Sequence, residues 1–448
     1  MGKSEFENKK TLKVPVDAAG ELKDQMEFMI HSSTEYHRRE IQSLGWETTL
    51  CNTLADDRGP CRSLTAIDAP YGQLLFSFLR RFFPLDKLEH VMEVGGGYGW
   101  LMRDFLCQLP FPKVTMIDIS PFLLAKQRTA LEGFPVEIVF RTEDFFDTPT
   151  EVIREADLII LNESIGDYPT LTGLTGEFFS DRELVASPVI DTARRFFKRY
   201  ELPFPPNNPF NLNIGAMSAL ERICQAGVPY IFLSEHSCEA TVPPTLRKLI
   251  SVPSPGDPEC ILLKGHEEFT IRFSYLEAIG RRLGYRVRRG PVADIIPFVL
   301  TPRLRAILKA PSPWRDEDEA VRYFLEDLYK YEYLVLCRDN PSSRESPAAG
   351  CLRCGKCCLA DFIAYVKEED LQRWKQENRR DILGIIASEH AIWAGDHLVS
   401  GDDGHYLRGC PFLSWEGDHT ACAIYETRPA VCKNFVPGSA AICPLWQG

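Results

Sequence analysis

Apolar and polar positions follow two alternating patterns through the middle of the chain. Short apolar runs, which are typical of buried strands, recur between longer stretches with the spacing of amphipathic helices. These runs lie at 91–94, 114–119, 136–140, 156–161 and 228–233, with shorter ones near 285–287 and 295–300. Strands that alternate with helices predict an α/β domain, a parallel sheet with helices on both faces, over residues 86–310.

The segments before and inside this domain have different patterns. Residues 1–85 mix apolar and charged positions at helical spacing, especially at 21–44 and 71–83, and predict a helical N-terminal cover over the sheet. Residues 171–215 break the alternation with threonine, glycine, proline and aromatic residues. Such a long insertion is typical of a substrate-selecting lid or of a spacer.

The last third of the chain divides again. Residues 311–345 contain a charged, aromatic-rich stretch at 315–338, predicted to be one helix, and then a proline-bounded linker. Residues 346–448 hold eight of the 15 cysteines and predict a small cysteine-rich metal-binding domain. In a reducing compartment such a cluster indicates metal binding more often than disulfides.

Composition and charge exclude several classes of protein. With 44% apolar and 25% charged residues, the chain is ordinary globular material. The formal net charge of −12 argues against nucleic-acid binding, which needs clustered Lys and Arg. The N-terminus has no apolar signal region, and no run is long and apolar enough for membrane insertion. We therefore expect a cytoplasmic protein, whose oligomeric state the sequence leaves open.

The most specific motif is the stretch 91–99, VMEVGGGYG, where a predicted strand meets a predicted helix. Glycines at such a bend let the backbone turn sharply and approach a ligand. Asp118 ends the next strand, and its distance in sequence from the glycines is that at which a carboxylate binds the hydroxyls of a ribose. The spacing is E-x-G-x-G-x-G, which is similar to motif I of class I S-adenosylmethionine methyltransferases, and the residues that carry it are Glu93, Gly95, Gly97 and Gly99.

Other polar side chains follow the later strands. Asp144 lies beside two phenylalanines after the third strand and is a candidate to bind the adenine amine. Asn162 and Glu163 end the fourth strand, where a carboxylate can orient or deprotonate a nitrogen nucleophile. The alternative is that this pair caps the next turn. His236, after the fifth strand, is a candidate base or a polar turn residue.

The front part also resembles one methyltransferase family. The stretch 92–106 with 117–121 and 125–127 looks like the MidA family over residues 60–300. The resemblance implies a Rossmann-like sheet, S-adenosylmethionine as cofactor and a protein arginine as acceptor. The sequence departs from the family pattern at Gly166, where the family has an aspartate that is displaced here to Asp167, and again in the stretch 269–274.

The cysteines of the tail have the spacing of metal ligands. Short C-x2-C spacings let one loop surround a metal, and thiolates bind zinc or iron-sulfur clusters. The pattern resembles the YkgJ-like CxxCxxCC family, described as zinc- or iron-chelating. The cysteine-proline pairs favour a [4Fe–4S] cluster over zinc. The predicted ligands are Cys351, Cys354, Cys357, Cys358, Cys410, Cys422, Cys432 and Cys443.

Together these patterns predict an S-adenosylmethionine-dependent methyltransferase that acts on an Arg or Lys nitrogen of a protein substrate. Asn162 and Glu163 are the predicted catalytic residues. One alternative is a metal-handling or cluster-assembly factor that uses the front domain as a scaffold. Another is a small-molecule methyltransferase.

Overall fold

The computed structural model divides the chain into two compact units, Met1–Asp339 and Asn340–Gly448. It describes residues 10–13, 27–44, 49–180, 187–243, 246–298, 300–310, 312–313, 315–338, 354–356, 366–388, 391–394, 397–400, 410, 412–416, 419–435, 437–438 and 442–446. No helix in these ranges has the length and apolar character that crossing a bilayer requires.

The first unit alternates strands and helices. Its strands are β1 Lys10–Lys13, β2 Glu27–His31, β3 His90–Val94, β4 Lys113–Asp118, β5 Glu137–Thr142, β6 Leu158–Asn162, β7 Thr170–Leu174, β8 Phe210–Leu212, β9 Tyr230–His236, β10 Cys260–Leu262, β11 Glu267–Phe269, β12 Tyr285–Pro291 and β13 Tyr331–Arg338. Its helices are α1 Thr34–Arg39, α2 Leu50–Thr53, α3 Tyr71–Leu79, α4 Trp100–Gln108, α5 Pro121–Ala130, α6 Thr150–Arg154, α7 Glu177–Ser180, α8 Pro188–Tyr200, α9 Ile214–Ala226, α10 Phe273–Arg282, α11 Pro302–Lys309 and α12 Asp316–Lys330.

A seven-stranded sheet forms the centre of this unit, in the order β12-β13-β9-β6-β3-β4-β5. The five strands from β9 to β5 run parallel, and β13 runs antiparallel to both β9 and β12. Every residue of β3 and of β6 is buried, which is why their sequences are apolar runs rather than alternating patterns. The predicted Rossmann-like α/β class is confirmed.

The end of the sheet differs from the prediction in two places. The single helix expected over 315–338 is wrong beyond Lys330, because Tyr331–Arg338 is strand β13. Residues 331–336 are all buried, so this mostly aromatic and aliphatic stretch lies in the interior of the first unit, between β12 and β9. The strand expected near 295–300 is also wrong, since Phe298 forms only an isolated bridge with Thr65.

The N-terminal segment is only partly the helical cover that the sequence predicts. Strands β1 and β2 join β7 and β8 in a four-stranded antiparallel sheet. The long insertion supplies β7, α7, α8 and β8, so it and the N-terminal segment build this second sheet together. The mainly helical interpretation is therefore wrong for β1 and β2, which pair with each other, and β2 also pairs with β7, more than a hundred residues away in sequence.

Two apolar layers cover the faces of the central sheet. One packs helices α3, α4 and α12 against the sheet, with Leu75, Phe105 and Leu325 fully buried. The other packs α8, α9 and α10 on the opposite face, with Phe196 and Ile223 fully buried. These layers fix the strand ends that carry the polar side chains described below.

The second unit has its own small core. It contains α13 Glu368–Gln376, α14 Arg380–Ser388 and α15 Ala430–Lys433, with the hairpins β14 Ala391–Ala394 with β15 His397–Ser400 and β16 Leu413–Glu416 with β17 His419–Cys422. Trp374 is fully buried against Ile382 and Ile424. Its indole N–H donates to the carbonyl of Thr427 at 2.7 Å, which ties α13 to the segment before α15.

We predict that Gly72→Ala destabilises the first unit. A Cβ at this position of α3 would lie 2.6 Å from the Cβ of Asp104 on α4, so the two helices would have to separate. Overpacking of this kind costs about 1–3 kcal/mol of unfolding free energy, measurable by urea denaturation. Gly176→Ala is the control, because a Cβ there meets nothing within 4 Å. Equal stability of the two variants would contradict the close packing of α3 on α4.

Candidate functional site

A cavity of about 260 Å³ lies at the carboxyl ends of the parallel strands. Ligands bind at this edge in open α/β sheets. Gly95, Gly96 and Gly97 line it, as do Asp118 and Asp144. Gly99 does not line the cavity, and its role is in packing, because a Cβ there would come 3.0 Å from the Cα of Gln127.

The glycine bend leaves no room for larger residues. Gly95 and Gly97 have φ values of 70° and 51°, in the left-handed region that side chains other than glycine rarely adopt. A Cβ on Gly95 would also come 2.7 Å from the Cβ of Ser164, which follows β6. The bend therefore brings bare backbone to the cavity wall.

Glu93 lies beneath this bend with an unsatisfied carboxylate. Its side chain is buried, and its Oε2 has no hydrogen-bond partner among the described residues. Burial, together with the nearby charge of Asp118, raises the pKa of Glu93 to about 8. A cation or a hydrogen-bond donor bound in the cavity would stabilise the ionised form.

Asp118 is held in place by the backbone and by Gln127. Its Oδ1 accepts from the backbone N–H of Ser120 at 2.9 Å, and its Oδ2 accepts from Nε2 of Gln127 at 2.7 Å. The same Gln127 nitrogen donates to the carbonyl of Gly97 at 3.1 Å, which joins the acid to the glycine bend. Burial raises the pKa of Asp118 to about 6, although both hydrogen bonds oppose that shift.

Asp144 begins a 3-10 turn, Phe145–Asp147, and caps it. Its Oδ1 accepts from the backbone N–H of Phe146 at 2.9 Å. Phe145 and Phe146 line the cavity beside it. The structure thus places a carboxylate next to two aromatic rings in the cavity lining, and the binding of an adenine by Asp144 stays a prediction.

Glu163 has a constrained backbone and a carboxylate held by several hydrogen bonds. Its φ of 53° is unusual for a residue other than glycine. Its carboxylate accepts from the backbone N–H of Leu50 at 3.0 Å, from Nδ2 of Asn162 at 2.9 Å and from the hydroxyl of Tyr331 at 3.4 Å. Burial is the largest cause that raises the pKa of Glu163 to about 7.

Asn162 is oriented by two hydroxyl groups. Its Oδ1 accepts from Tyr71 on α3 and from Ser234 on β9, both at 2.8 Å. This leaves its amide nitrogen to donate to Glu163. The bonds of the pair thus go to other elements and not to the following turn Ile165–Asp167, whose N-cap lacks a side-chain hydrogen bond, so capping does not explain these residues.

Glu235 and His236 end β9 at the same edge of the sheet, and both line the cavity. Oε2 of Glu235 accepts from the backbone N–H of Gly166, and burial raises the pKa of Glu235. A Cβ at Gly166 would lie 3.2 Å from the carboxyl carbon of Glu235, so a side chain has no space there. Burial lowers the pKa of His236 to about 3, which keeps this imidazole neutral beside the ring of Tyr331.

The cavity is lined by carboxylates and by no lysine or arginine of the described chain. Glu143 is paired with Arg141, which lies outside the lining. The acidic lining residues are Glu93, Asp118, Glu143, Asp144, Glu163, Asp167, Glu235 and Glu268. Burial raises the pKa of Glu93, Asp118, Glu163 and Glu235, and a cationic ligand would stabilise the ionised forms of these carboxyls.

Sequence analysis missed several of these residues. Glu235 was visible beside His236 at the end of a predicted strand and could have been included on that ground. Tyr331 was missed because its strand was interpreted as helix. Gln127 lies in the stretch 125–127 of the family resemblance, but that resemblance assigns it no role in the site. Glu268 carries no local signal, since its place in the cavity lining comes from packing between distant segments.

The predicted metal ligands of the tail are only partly described. Cys351, Cys357 and Cys358 lie outside the described residues. Cys354, Cys410, Cys422, Cys432 and Cys443 are half-buried, and no disulfide joins described cysteines. Among these five, no three sulfurs lie within 4.8 Å of one another. The Sγ of Cys443 accepts from the backbone N–H of Gly438 at 3.1 Å.

Comparison with family models gives one match, which covers residues 350–441. The model is CxxCxxCC, described as a "Putative zinc- or iron-chelating domain". This confirms the predicted type of the cysteine-rich domain, although Cys443 lies beyond the matched residues. Comparison with curated proteins gave no match.

Among solved structures, similar chains include two of one superfamily from Burkholderia thailandensis. An uncharacterized one has a TM-score of 0.41 and 13% identity, over 69% of this chain and 88% of that chain. One bound to S-adenosyl-homocysteine has a TM-score of 0.39 and 13% identity, over 69% and 89%. Magnesium protoporphyrin IX methyltransferase from Synechocystis has a TM-score of 0.31 and 12% identity, over 60% and 82%.

We predict that Glu93→Gln weakens the pH dependence of stability in the ligand-free protein. With a folded pKa of about 8 against a usual 4.5, Glu93 contributes stability that is present below pH 4.5 and is lost as pH rises through 8. The unfolding free energy of the wild type should therefore fall between pH 4.5 and 8, by an amount on the order of a few kcal/mol, and the variant should lose part of that fall. Glu89→Gln, which alters an exposed carboxylate, is the control. An identical pH profile in the two variants would contradict the burial of an ionisable Glu93.

Proposed function

We propose that the first unit binds S-adenosylmethionine and transfers its methyl group to a nitrogen of a protein side chain. The observation that supports this most is the cavity beside the glycine bend, which is lined by carboxylates and by no Lys or Arg of the described chain. A sulfonium cofactor brings a positive charge to that environment. The unsatisfied Oε2 of Glu93 and the bare backbone at Gly95 fit such a ligand.

Each end of the cofactor has a group that would hold it. The backbone of Gly95 and Gly97, with Glu93, would bind the charged amino-acid end. Asp118 would bind the ribose hydroxyls, with Gln127 holding the carboxylate in position. Asp144 would accept from the adenine amine. When bound, the cofactor supplies an electrophilic methyl group.

Glu163 is proposed to act on the acceptor. A carboxyl whose pKa is about 7 can accept a proton near neutral pH, and three hydrogen bonds hold it at one place. Asn162 is proposed to orient it, because the bonds to Tyr71 and Ser234 point the amide N–H groups towards Glu163. Methyl transfer also requires alignment and exclusion of water, which a buried cavity provides.

Arginine or lysine is the acceptor that fits the charge of this cavity. Both side chains are cationic in water, and Glu235 and Glu268 line the cavity with Glu163. The resemblance of the front part to a protein methyltransferase family supports the same choice. Two alternatives make different predictions: a small-molecule acceptor, and a metal-handling factor in which cofactor binding acts only as a scaffold.

For the second unit we propose a thiolate-bound metal, with an iron-sulfur cluster preferred over zinc. The support is the match of residues 350–441 to a zinc- or iron-chelating family and the spacing of the cysteines. Cys354 has a glycine with φ of 69° as its neighbour, a local geometry that allows a tight loop around a metal.

Transfer of labelled methyl groups tests the activity. With S-adenosylmethionine labelled in its methyl group, the full chain should label protein in a lysate. Glu163→Gln should reduce transfer by about a hundredfold or more and leave cofactor binding nearly unchanged, because it removes a base and keeps the shape. Asp118→Ala should weaken cofactor binding in calorimetry, and Asp147→Ala, at an exposed carboxylate of the same strand edge, should not.

The other outcomes separate the alternatives. A wild-type chain that does not bind S-adenosylmethionine would contradict the proposal. Binding without transfer to any acceptor would favour the scaffold alternative. Label that appears only in products of low mass would favour a small-molecule acceptor.

Anaerobic purification tests the metal of the second unit. We expect iron and sulfide in the protein, with visible absorption that Cys354→Ser and Cys432→Ser reduce. Cys107→Ser, which alters an exposed cysteine of the first unit, is the control and should retain the absorption. A colourless protein with stoichiometric zinc would contradict the iron-sulfur preference, and absence of any metal would contradict the metal site.

A further inference from the structure

Two histidines and an aspartate converge at the wall of the cavity, away from the glycine bend. His37 lies on α1, Asp167 ends the 3-10 turn Ile165–Asp167, and His266 lies in the turn between β10 and β11. Nε2 of His37 is 2.9 Å from Oδ1 of Asp167, and Nε2 of His266 is 3.7 Å from the same oxygen. The three possible ligand atoms all lie within 4.8 Å of one another, and in the described ranges this is the one group of three or more such side chains.

Neighbouring residues hold these side chains in their orientations. The hydroxyl of Ser33 donates to Oδ1 of Asp167 at 2.5 Å. The ring of Tyr36 stacks on the imidazole of His266, with centroids 4.4 Å apart and planes 14° apart. Gly265 has a φ of 101°, and a Cβ there would come 2.6 Å from the Tyr36 ring, so a glycine is required for this stacking. Partners that orient ligand side chains are typical of metal sites.

The cluster is buried on one side and open to the cavity on the other. The side chain of His266 is 1% exposed, and those of His37 and Asp167 are 12% and 19% exposed. His37 and Asp167 line the cavity. Glu268, another lining residue, has its Oε1 3.4 Å from Nε2 of His266 and can supply a further oxygen. An ion in this place would keep coordination positions free for a ligand in the cavity.

We propose that His37, Asp167 and His266 bind one divalent transition-metal ion. Two imidazoles and one carboxylate are ligands of catalytic zinc and of non-haem iron(II), whereas Mg²⁺ and Ca²⁺ prefer oxygen alone. The positive charge of the ion would offset the carboxylates of Asp167 and Glu268. Its free positions would bind an oxygen or nitrogen of the molecule that enters the cavity.

A purely hydrogen-bonded cluster is the competing explanation. In that case the imidazole of His37 donates a hydrogen bond to Asp167, that of His266 donates one to Glu268, and no ion is needed. The two explanations differ in one measurable property, since only a metal site binds Co²⁺ through nitrogen and oxygen. The proposal does not depend on methyl transfer, because metal binding is measured without the cofactor.

Titration of the full chain with Co²⁺ tests the site. Co²⁺ that is bound by nitrogen and oxygen has absorption bands that differ from the sulfur-to-cobalt charge-transfer bands expected from the cysteines of the second unit. We expect one nitrogen- and oxygen-bound equivalent in the wild type. His37→Ala, His266→Ala and Asp167→Asn should each weaken it at least tenfold, with the sulfur bands unchanged.

His31→Gln is the matched control, because His31 is a buried histidine of the neighbouring strand that hydrogen-bonds a single carboxylate, Glu267. This variant should bind Co²⁺ as the wild type does. Asp167→Asn keeps the shape of the side chain, and circular dichroism checks that each variant is folded. The proposal would be overturned by a wild type that binds no Co²⁺ through nitrogen and oxygen. It would also be overturned if folded Asp167→Asn and His266→Ala bound Co²⁺ as tightly as the wild type does.

Discussion

The energetic cost of burying carboxylates without cationic side chains is the constraint on which the candidate site depends. Glu93, Asp118 and Glu163 lie at or directly after the ends of β3, β4 and β6, and burial is the first cause of the raised pKa of each. In a folded protein such groups are stabilised by protonation or by a bound cation. A sulfonium, a cationic acceptor or a metal ion would each provide that charge, so these proposals follow from one physical requirement.

The fold supplies this arrangement through the ends of parallel strands and through segments that close over them. Central strands fix the acids, because β3 and β6 are buried along their whole length. The N-terminal segment closes the site, since the backbone of Leu50 donates to Glu163. Strand β13 adds Tyr331 from the antiparallel side of β9. Residues far apart in sequence therefore determine the protonation of a single carboxyl.

The sequence predicts those parts of the fold whose signal is local. Strands β3 to β6 and β9, the glycine bend and the acids at strand ends all follow from apolar runs and their flanking residues. Strand β13 was missed because it follows α12 without a turn signal, and its apolar and aromatic residues continue a pattern that also fits a helix. Strands β1 and β2 were missed because their stability comes from pairing with each other and with distant β7. His37 and His266 have no spacing that could relate them.

The two proposed metal sites differ in the softness of their ligands and therefore in the range of ions that they accept. Thiolates of the second unit are soft ligands, which favour zinc, copper(I) or iron-sulfur clusters. Imidazole and carboxylate at His37, Asp167 and His266 are harder ligands, which also accept iron(II) and cobalt(II). Oxidation would affect the sites differently, because it attacks thiolates directly, whereas imidazole and carboxylate retain their donor atoms. Loss of metal from the cysteines would therefore leave the ligands of the other site chemically intact.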